Sequence, residues 1–310
     1  MQRLIRTGSF ILLLLSGVSI TAAVNASQAG SLKVFACEPE WASLVKELGG
    51  ERIDAFSATS AYQDPHHIEA RPSLIARLRQ ANLLLCTGAD LEVGWLPMLL
   101  RQAGNQKVRV DQPGYFEAAA QVTRLDIPQQ LDRSMGDLHA AGNPHVHLDP
   151  RRIQDIAEAL LGRLIEIDPA GEAIYQQAYN DFTKRWQDAM QRWQQQAAPL
   201  KGQRIVVQHR DWLYLFDWLG IEIAGTLEPR PGLPTTAAHL QSLKKKLQQS
   251  PARMIVHAPH QSPRSAQKFA RLSDLPVLEL PYTVGGTADT QNLFALFDQI
   301  IASLTGPADE

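Results

Sequence analysis

From Gly171 to Ala198 no glycine or proline interrupts the chain, and Tyr175, Tyr179, Phe182, Trp186, Met190 and Trp193 recur every three or four residues. That spacing predicts one helix on the order of 40 Å long at 1.5 Å per residue, with its aromatic side chains on one face. A stripe of this kind is a packing face rather than a ligand box. A helix so long outruns a single small lobe, so it is placed to run along two lobes and tie them together.

The residues on either side supply those lobes. Before the helix, short apolar runs at Lys33 to Cys37, Ile53 to Ser57 and Leu83 to Thr87 read as strands, with helices at Pro39 to Leu48 and Pro72 to Gln80. A further helix starts after Asp149, a suitable N-cap, with Pro150 in the first turn and Ile153, Ile156, Leu160 and Leu164 on one face. After the long helix, strands are expected at Arg204 to Gln208, Ile221 to Ala224, Met254 to His257 and Val277 to Leu280. Helices are expected at Trp212 to Leu219, Thr236 to Gln249, Pro263 to Leu272 and Leu293 to Leu304. The alternation predicts an α/β fold of two lobes, each a parallel sheet flanked by helices, joined by one long rigid helix. The boundaries are 30–168 for the first lobe, 169–199 for the linking helix and 200–310 for the second.

Residues 1–29 stand apart. Arg3 and Arg6 precede an apolar run from Phe10 to Val18 and then small residues up to Ala29, the layout of a cleaved secretory signal. The run is too short for a membrane span of about 20 apolar residues, and no lipoprotein cysteine follows it. A mature chain in the periplasm is the expectation. Removing the two arginines takes the formal charge from -2 to -4, and no basic stripe appears, so nucleic acid has no electrostatic footprint. Cys37 and Cys86 are the two cysteines, too few for a disulfide framework or a four-cysteine zinc site. Each ends an apolar strand, so they form either a single disulfide or two buried thiols.

Three of the nine histidines fall where a strand hands over to a loop or helix: His66 in Gln63-Asp64-Pro65-His66-His67, His145 in Gly142-Asn143-Pro144-His145, and His209 in Val206-Val207-Gln208-His209. Ligands of open α/β sheets collect beyond the carboxyl ends of strands, and converging neutral imidazoles suit zinc, copper and nickel better than magnesium or calcium. Taken singly, a histidine beside proline is an ordinary solvated turn residue. His67, His139 and His147 are weighed in the same way, as outer partners, transient relays or exposed side chains. Asp137 and Glu228 are candidates to orient ligand histidines through their second ring nitrogens. The loop Glu228-Pro229-Arg230-Pro231-Gly232 reads as a rigid turn or a wall of the cleft.

At these residues the chain resembles the zinc- and manganese-binding solute-binding proteins of ABC importers, the group of TroA-like and ZnuA-like proteins. The resemblance rests on Asp64-Pro65-His66 with Arg71-Pro72-Ser73, on Ala81-Asn82-Leu83 with Gly88-Ala89-Asp90-Leu91-Glu92, and on Asn143-Pro144-His145-Val146 with Leu148-Asp149-Pro150, in that order, with His209 on a comparable strand end. It implies that His66, His145 and His209 are the metal ligands. It also implies that the cargo is Zn2+, with Mn2+ or another divalent transition metal as alternatives. The implied partner is an ABC transporter permease of the inner membrane, with a metallochaperone as a further candidate. The protein is expected to be a monomer and not an enzyme.

The sequence departs from that family where an aspartate commonly follows the last strand of the second lobe, since Leu280 is followed by Pro281-Tyr282-Thr283-Val284-Gly285-Gly286. Water ranks first for the fourth ligand position, ahead of Asp289 and His260. The competing readings are an exported zinc-dependent hydrolase and a metal-binding surface adhesin on the same scaffold. No His-Glu-x-x-His helix, Gly-x-Ser-x-Gly elbow or glycine-rich phosphate loop supports an enzyme.

Overall fold

The computed structural model describes residues 31–128 and 139–306. The signal segment and Asp137 lie outside the described residues. Eight strands and nine α-helices occur among the described residues, in the order β1 (Leu32–Ala36), α1 (Pro39–Gly49), β2 (Ile53–Ser57), α2 (Pro72–Gln80), β3 (Leu83–Cys86), α3 (Leu96–Ala103), β4 (Tyr115–Glu117), α4 (Pro150–Ile167), α5 (Glu172–Ala197), β5 (Arg204–Val207), α6 (Leu213–Leu219), β6 (Glu222–Thr226), α7 (Ala237–Gln249), β7 (Met254–His257), α8 (Arg264–Ser273), β8 (Val277–Glu279) and α9 (Leu293–Thr305).

The strands form two four-stranded sheets of the same topology, β2-β1-β3-β4 and β6-β5-β7-β8, and every pairing is parallel. Central strands of parallel sheets are covered on both faces and read as continuous apolar runs. Leu83–Cys86 and Met254–His257 are accordingly buried at every position. The expected two-lobed α/β architecture is the one observed. Two elements escaped the sequence reading, α3 and β4. A three-residue edge strand is too short to display a period, and α3 begins with Leu96-Pro97 directly after Trp95, where proline reads as a break as readily as a first turn.

Alternation along the strands separates two kinds of core. Val34 and Ala36 face inward with Leu85, Ile205, Val207 and Val256 into one apolar cluster that runs through both lobes. Phe35, Cys37, Leu84 and Cys86 face a smaller cluster under α2 and α3, and Val206 and Ile255 a third under α7 and α8. The shared cluster is built around α5, where Tyr175, Phe182, Trp186 and Trp193 are fully buried. Trp186 donates its indole N–H to the Pro150 carbonyl at 2.8 Å, at the start of α4. Its ring meets Phe294 and Phe297 of α9 at 4.9 and 5.6 Å. The 26-residue helix therefore packs against both lobes, as the aromatic stripe predicts.

Cys37 and Cys86 are joined as a disulfide across the carboxyl ends of β1 and β3, with Cα atoms 4.7 Å apart, inside the usual range for such a link. Of the two states left open by the sequence, the structure has the disulfide. Among the described residues no helix is long and apolar enough to cross a membrane.

Candidate metal centre

Only His209 stands near a strand end, that of β5; His66 lies in the loop between β2 and α2 and His145 in the loop ahead of α4, and the three come together nonetheless. His66, His145 and His209 each offer a ring nitrogen within 4.8 Å of the others, and their ring centroids form a nearly equilateral triangle with sides of 5.8, 5.9 and 5.6 Å. His66 belongs to the first lobe, His145 to the crossover into α4, and His209 to the second lobe.

Each imidazole is held by local chemistry that the sequence supplies. Asp64 accepts the His66 backbone N–H at 3.0 Å and pairs with its Nδ1 at 2.7 Å, a short Asx turn. The Trp95 indole donates to the Pro65 carbonyl at 2.9 Å and pins that turn to the lobe. Asn143 accepts the His145 backbone N–H at 3.0 Å and donates through its side-chain amide to the Arg210 carbonyl at 2.9 Å, so the same residue spans the two lobes. His209 lies two residues past the last residue of β5, and the intervening Gln208 is held by its N–H donating to the Val256 carbonyl at 2.9 Å.

The other ring nitrogens are engaged as well. Nδ1 of His66 meets Asp64, Nδ1 of His145 meets the Tyr282 hydroxyl at 2.8 Å, and Nδ1 of His209 meets Glu228 at 2.8 Å. Glu228 also accepts the Gly232 N–H at 2.9 Å, so the proline-rich loop braces it from behind. With Nδ1 occupied on all three rings, Nε2 is left for the centre. The Nε2 of His145 is buried without a hydrogen-bond partner, an orphan that calls for an explanation in a native structure.

Charge around the triangle differs from ring to ring. Burial depresses the His145 pKa well below its ordinary value, and the neighbouring imidazoles push the same way. For His209, burial also pulls down, but the Asp211 carboxylate and the hydrogen bond to Glu228 outweigh it and raise the pKa to about 9. Burial would raise the Asp64 carboxyl, yet its contacts with His66 hold it well below the usual range. Asp64, Asp211 and Glu228 thus set carboxylates around the imidazole cluster, a favourable setting for a cation.

Other residues weighed from the sequence lie elsewhere. His147 turns away, its Nε2 paired with the Tyr282 carbonyl at 3.1 Å and its Nδ1 3.4 Å from Glu40. His239 caps the end of β6, with Nε2 on the Thr226 carbonyl at 2.8 Å. Asp289 is exposed and does not join the histidine group. His260 lies at the margin, its ring 5.0 Å from that of Tyr282. His139 is closer than its sequence context suggested: its Nε2 is 3.2 Å from Nε2 of His66, and the rings stack at 5.2 Å. Asp211, 3.6 Å from Nε2 of His145 and hydrogen-bonded by Gln261 at 2.7 Å, was also missed. Its place two residues after His209 was the available signal.

This fold and this centre define a two-lobed α/β binding protein with an imidazole cluster between its lobes. A family model described as zinc-uptake complex component A, periplasmic (ZnuA) matches residues 34–306, and the chain belongs to that family. It is 26% identical to the manganese ABC transporter substrate-binding lipoprotein PsaA of Streptococcus anginosus, over 58% of this chain and 57% of that protein. To PsaA of Streptococcus pneumoniae it is 23% identical, over 83% and 81%. The matched region thus spans about 57% of the length of the first of these relatives. In fold, the chain resembles a crystal structure of ZnuA, with a TM-score of 0.72 at 21% identity, covering 88% of this chain and 99% of that one. A cadmium-bound periplasmic metal-binding protein from Candidatus Liberibacter asiaticus gives a TM-score of 0.72 at 12% identity, covering 88% and 97%.

Proposed function

We propose that this chain captures a divalent transition metal, zinc foremost, between its lobes outside the cytoplasm and delivers it to an ABC permease. The observation that carries the reading is the triangle of His66, His145 and His209, whose ring nitrogens lie within 4.8 Å of one another and whose Nδ1 atoms all have oxygen partners. Metal-ligating histidines almost always engage the second nitrogen in this way, which sets the tautomer and aims the ligand. Family membership and the names of the relatives, which are substrate-binding lipoproteins of metal and manganese ABC transporters, support a transport role.

Nitrogen-rich ligation favours zinc over manganese. His139, whose Nε2 lies 3.2 Å from Nε2 of His66, joins water, Asp289 and His260 as a candidate fourth donor. In a tetrahedron with metal–nitrogen bonds of about 2.0–2.1 Å, two ligand nitrogens stand about 3.3 Å apart, close to the 3.2 Å between His139 and His66. The helix packed along both lobes resists wide hinge opening, so metal release proceeds by small shear or loop motion.

Calorimetric titration of the metal-free mature chain tests the reading. Tight binding of one zinc, lost in His66→Ala, His145→Ala and His209→Ala and kept in His239→Ala, is the expected result. Equal affinity in all four variants overturns the site. Metal-dependent turnover of ester or peptide substrates would support a hydrolase instead.

A further inference from the structure

Two of the three imidazoles are backed by carboxylates, which only accept hydrogen bonds, so Asp64 and Glu228 hold a proton on Nδ1 of His66 and His209. His145 is backed by a phenol. A hydroxyl both donates and accepts, so Tyr282 satisfies His145 in either neutral tautomer. On its other side, the buried Nε2 of His145 faces Asp211 at 3.6 Å, near enough to attract a proton but too far to complete a hydrogen bond.

Tyr282 belongs to the second lobe and grips the crossover into α4 at two points. Its hydroxyl meets His145 at 2.8 Å and its carbonyl meets His147 at 3.1 Å. The next residue, Thr283, donates its hydroxyl to Glu40 on α1, and Glu40 in turn faces His147 at 3.4 Å. Tyr282 is nearly fully buried, at 3% exposure, so its hydroxyl position follows the register of the two lobes.

We infer that Tyr282 is the positioning residue for His145 and makes it the convertible ligand of the centre. The inference rests on the metal-capture reading above. Without metal, the Tyr282 hydroxyl donates to Nδ1, and His145 carries its proton on Nε2 toward Asp211. With metal, Nε2 binds the cation, the proton resides on Nδ1, and the Tyr282 oxygen accepts it. The number of protons on His145 is the same in both states. A shift of the second lobe that withdraws Tyr282 strips the metal-binding tautomer of its partner and loosens His145 ahead of His66 and His209.

The test uses the mature chain with 15N-labelled histidine, in wild type and Tyr282→Phe, observed by long-range 1H–15N correlation before and after one equivalent of zinc. Wild type is expected to show His145 protonated at Nε2 without metal and at Nδ1 with it, while His66 and His209 keep a proton on Nδ1 throughout. Tyr282→Phe retains the carbonyl contact to His147 and is expected to bind zinc ten- to a hundredfold more weakly, the usual cost of losing such a partner. Thr283→Val loosens the interlobe contact without touching the phenol and is expected to keep the tautomer exchange. An unchanged His145 tautomer in zinc-binding wild type, or wild-type affinity in Tyr282→Phe, overturns the inference alone. Absence of zinc binding at the histidine triangle overturns the capture reading and the inference with it.

Discussion

Glu228 holds Nδ1 of His209 at 2.8 Å from a loop nineteen residues downstream, and its same oxygen accepts the Gly232 N–H. The carboxylate is thereby fixed from two sides. Glu228→Ala is expected to weaken zinc binding about ten- to a hundredfold, while Glu228→Gln, which keeps an acceptor oxygen but loses the charge, falls between that variant and wild type. Competition against a chromophoric chelator measures both, and wild-type affinity in Glu228→Ala would remove this carboxylate from the site.

Inside the first lobe, Glu38 and Glu92 form a buried pair beside the disulfide. Glu92 accepts from the Thr87 and Gly88 backbone N–H groups at 2.8 and 3.0 Å, yet burial raises its pKa from 4.5 to about 7. Burial and the Glu92 charge push Glu38 up as well. At Glu92 the folded state therefore binds more protons than the unfolded state between pH 4.5 and 7, so its contribution to stability is full below that window and is lost as pH rises through it. Glu92→Gln is expected to flatten the decline and to be the more stable protein at pH 8, by at most on the order of 3 kcal/mol. Urea unfolding of the metal-free chain at pH 5 and 8 provides the comparison, and a steeper decline in the variant would contradict it.

Trp193 is fully buried on α5 and donates its indole N–H to Asp298 of α9 at 2.7 Å while its ring meets Phe297 at 5.0 Å. Trp193→Ala should cost about 3–5 kcal/mol, the range for large aromatic truncations in a core. Because the shared cluster spans both lobes, a single cooperative transition shifted to lower denaturant is expected. Two separated transitions would show that the lobes unfold independently.

The Cys37–Cys86 link closes a loop of 49 residues. Replacing both cysteines by alanine is expected to lower stability by about 2–4 kcal/mol and to leave zinc stoichiometry unchanged, since neither sulfur reaches the histidine triangle. Differential scanning calorimetry and metal titration of the double variant separate the two effects, and a loss of zinc binding in a folded variant would count against the independence of the two centres.

Local physics made the elements legible in the sequence. The aromatic period of α5, the apolar runs of β1, β3, β5 and β7, and the proline-opened helices α1, α2 and α4 each depend on residues within a few positions of one another, so the chain order alone displays them. The placement of His209 beside the end of β5 was visible for the same reason, whereas His66 and His145 sit in loops ahead of α2 and α4 rather than at strand ends. Tertiary structure decided what meets what. The 3.2 Å approach of His139 to His66, the Tyr282 hydroxyl behind His145, the Asp211 carboxylate beside it and the union of Cys37 with Cys86 all join segments whose proximity depends on how sheets and helices pack. Packing of that kind minimises exposed apolar area over the whole molecule, and no short stretch of sequence carries its outcome.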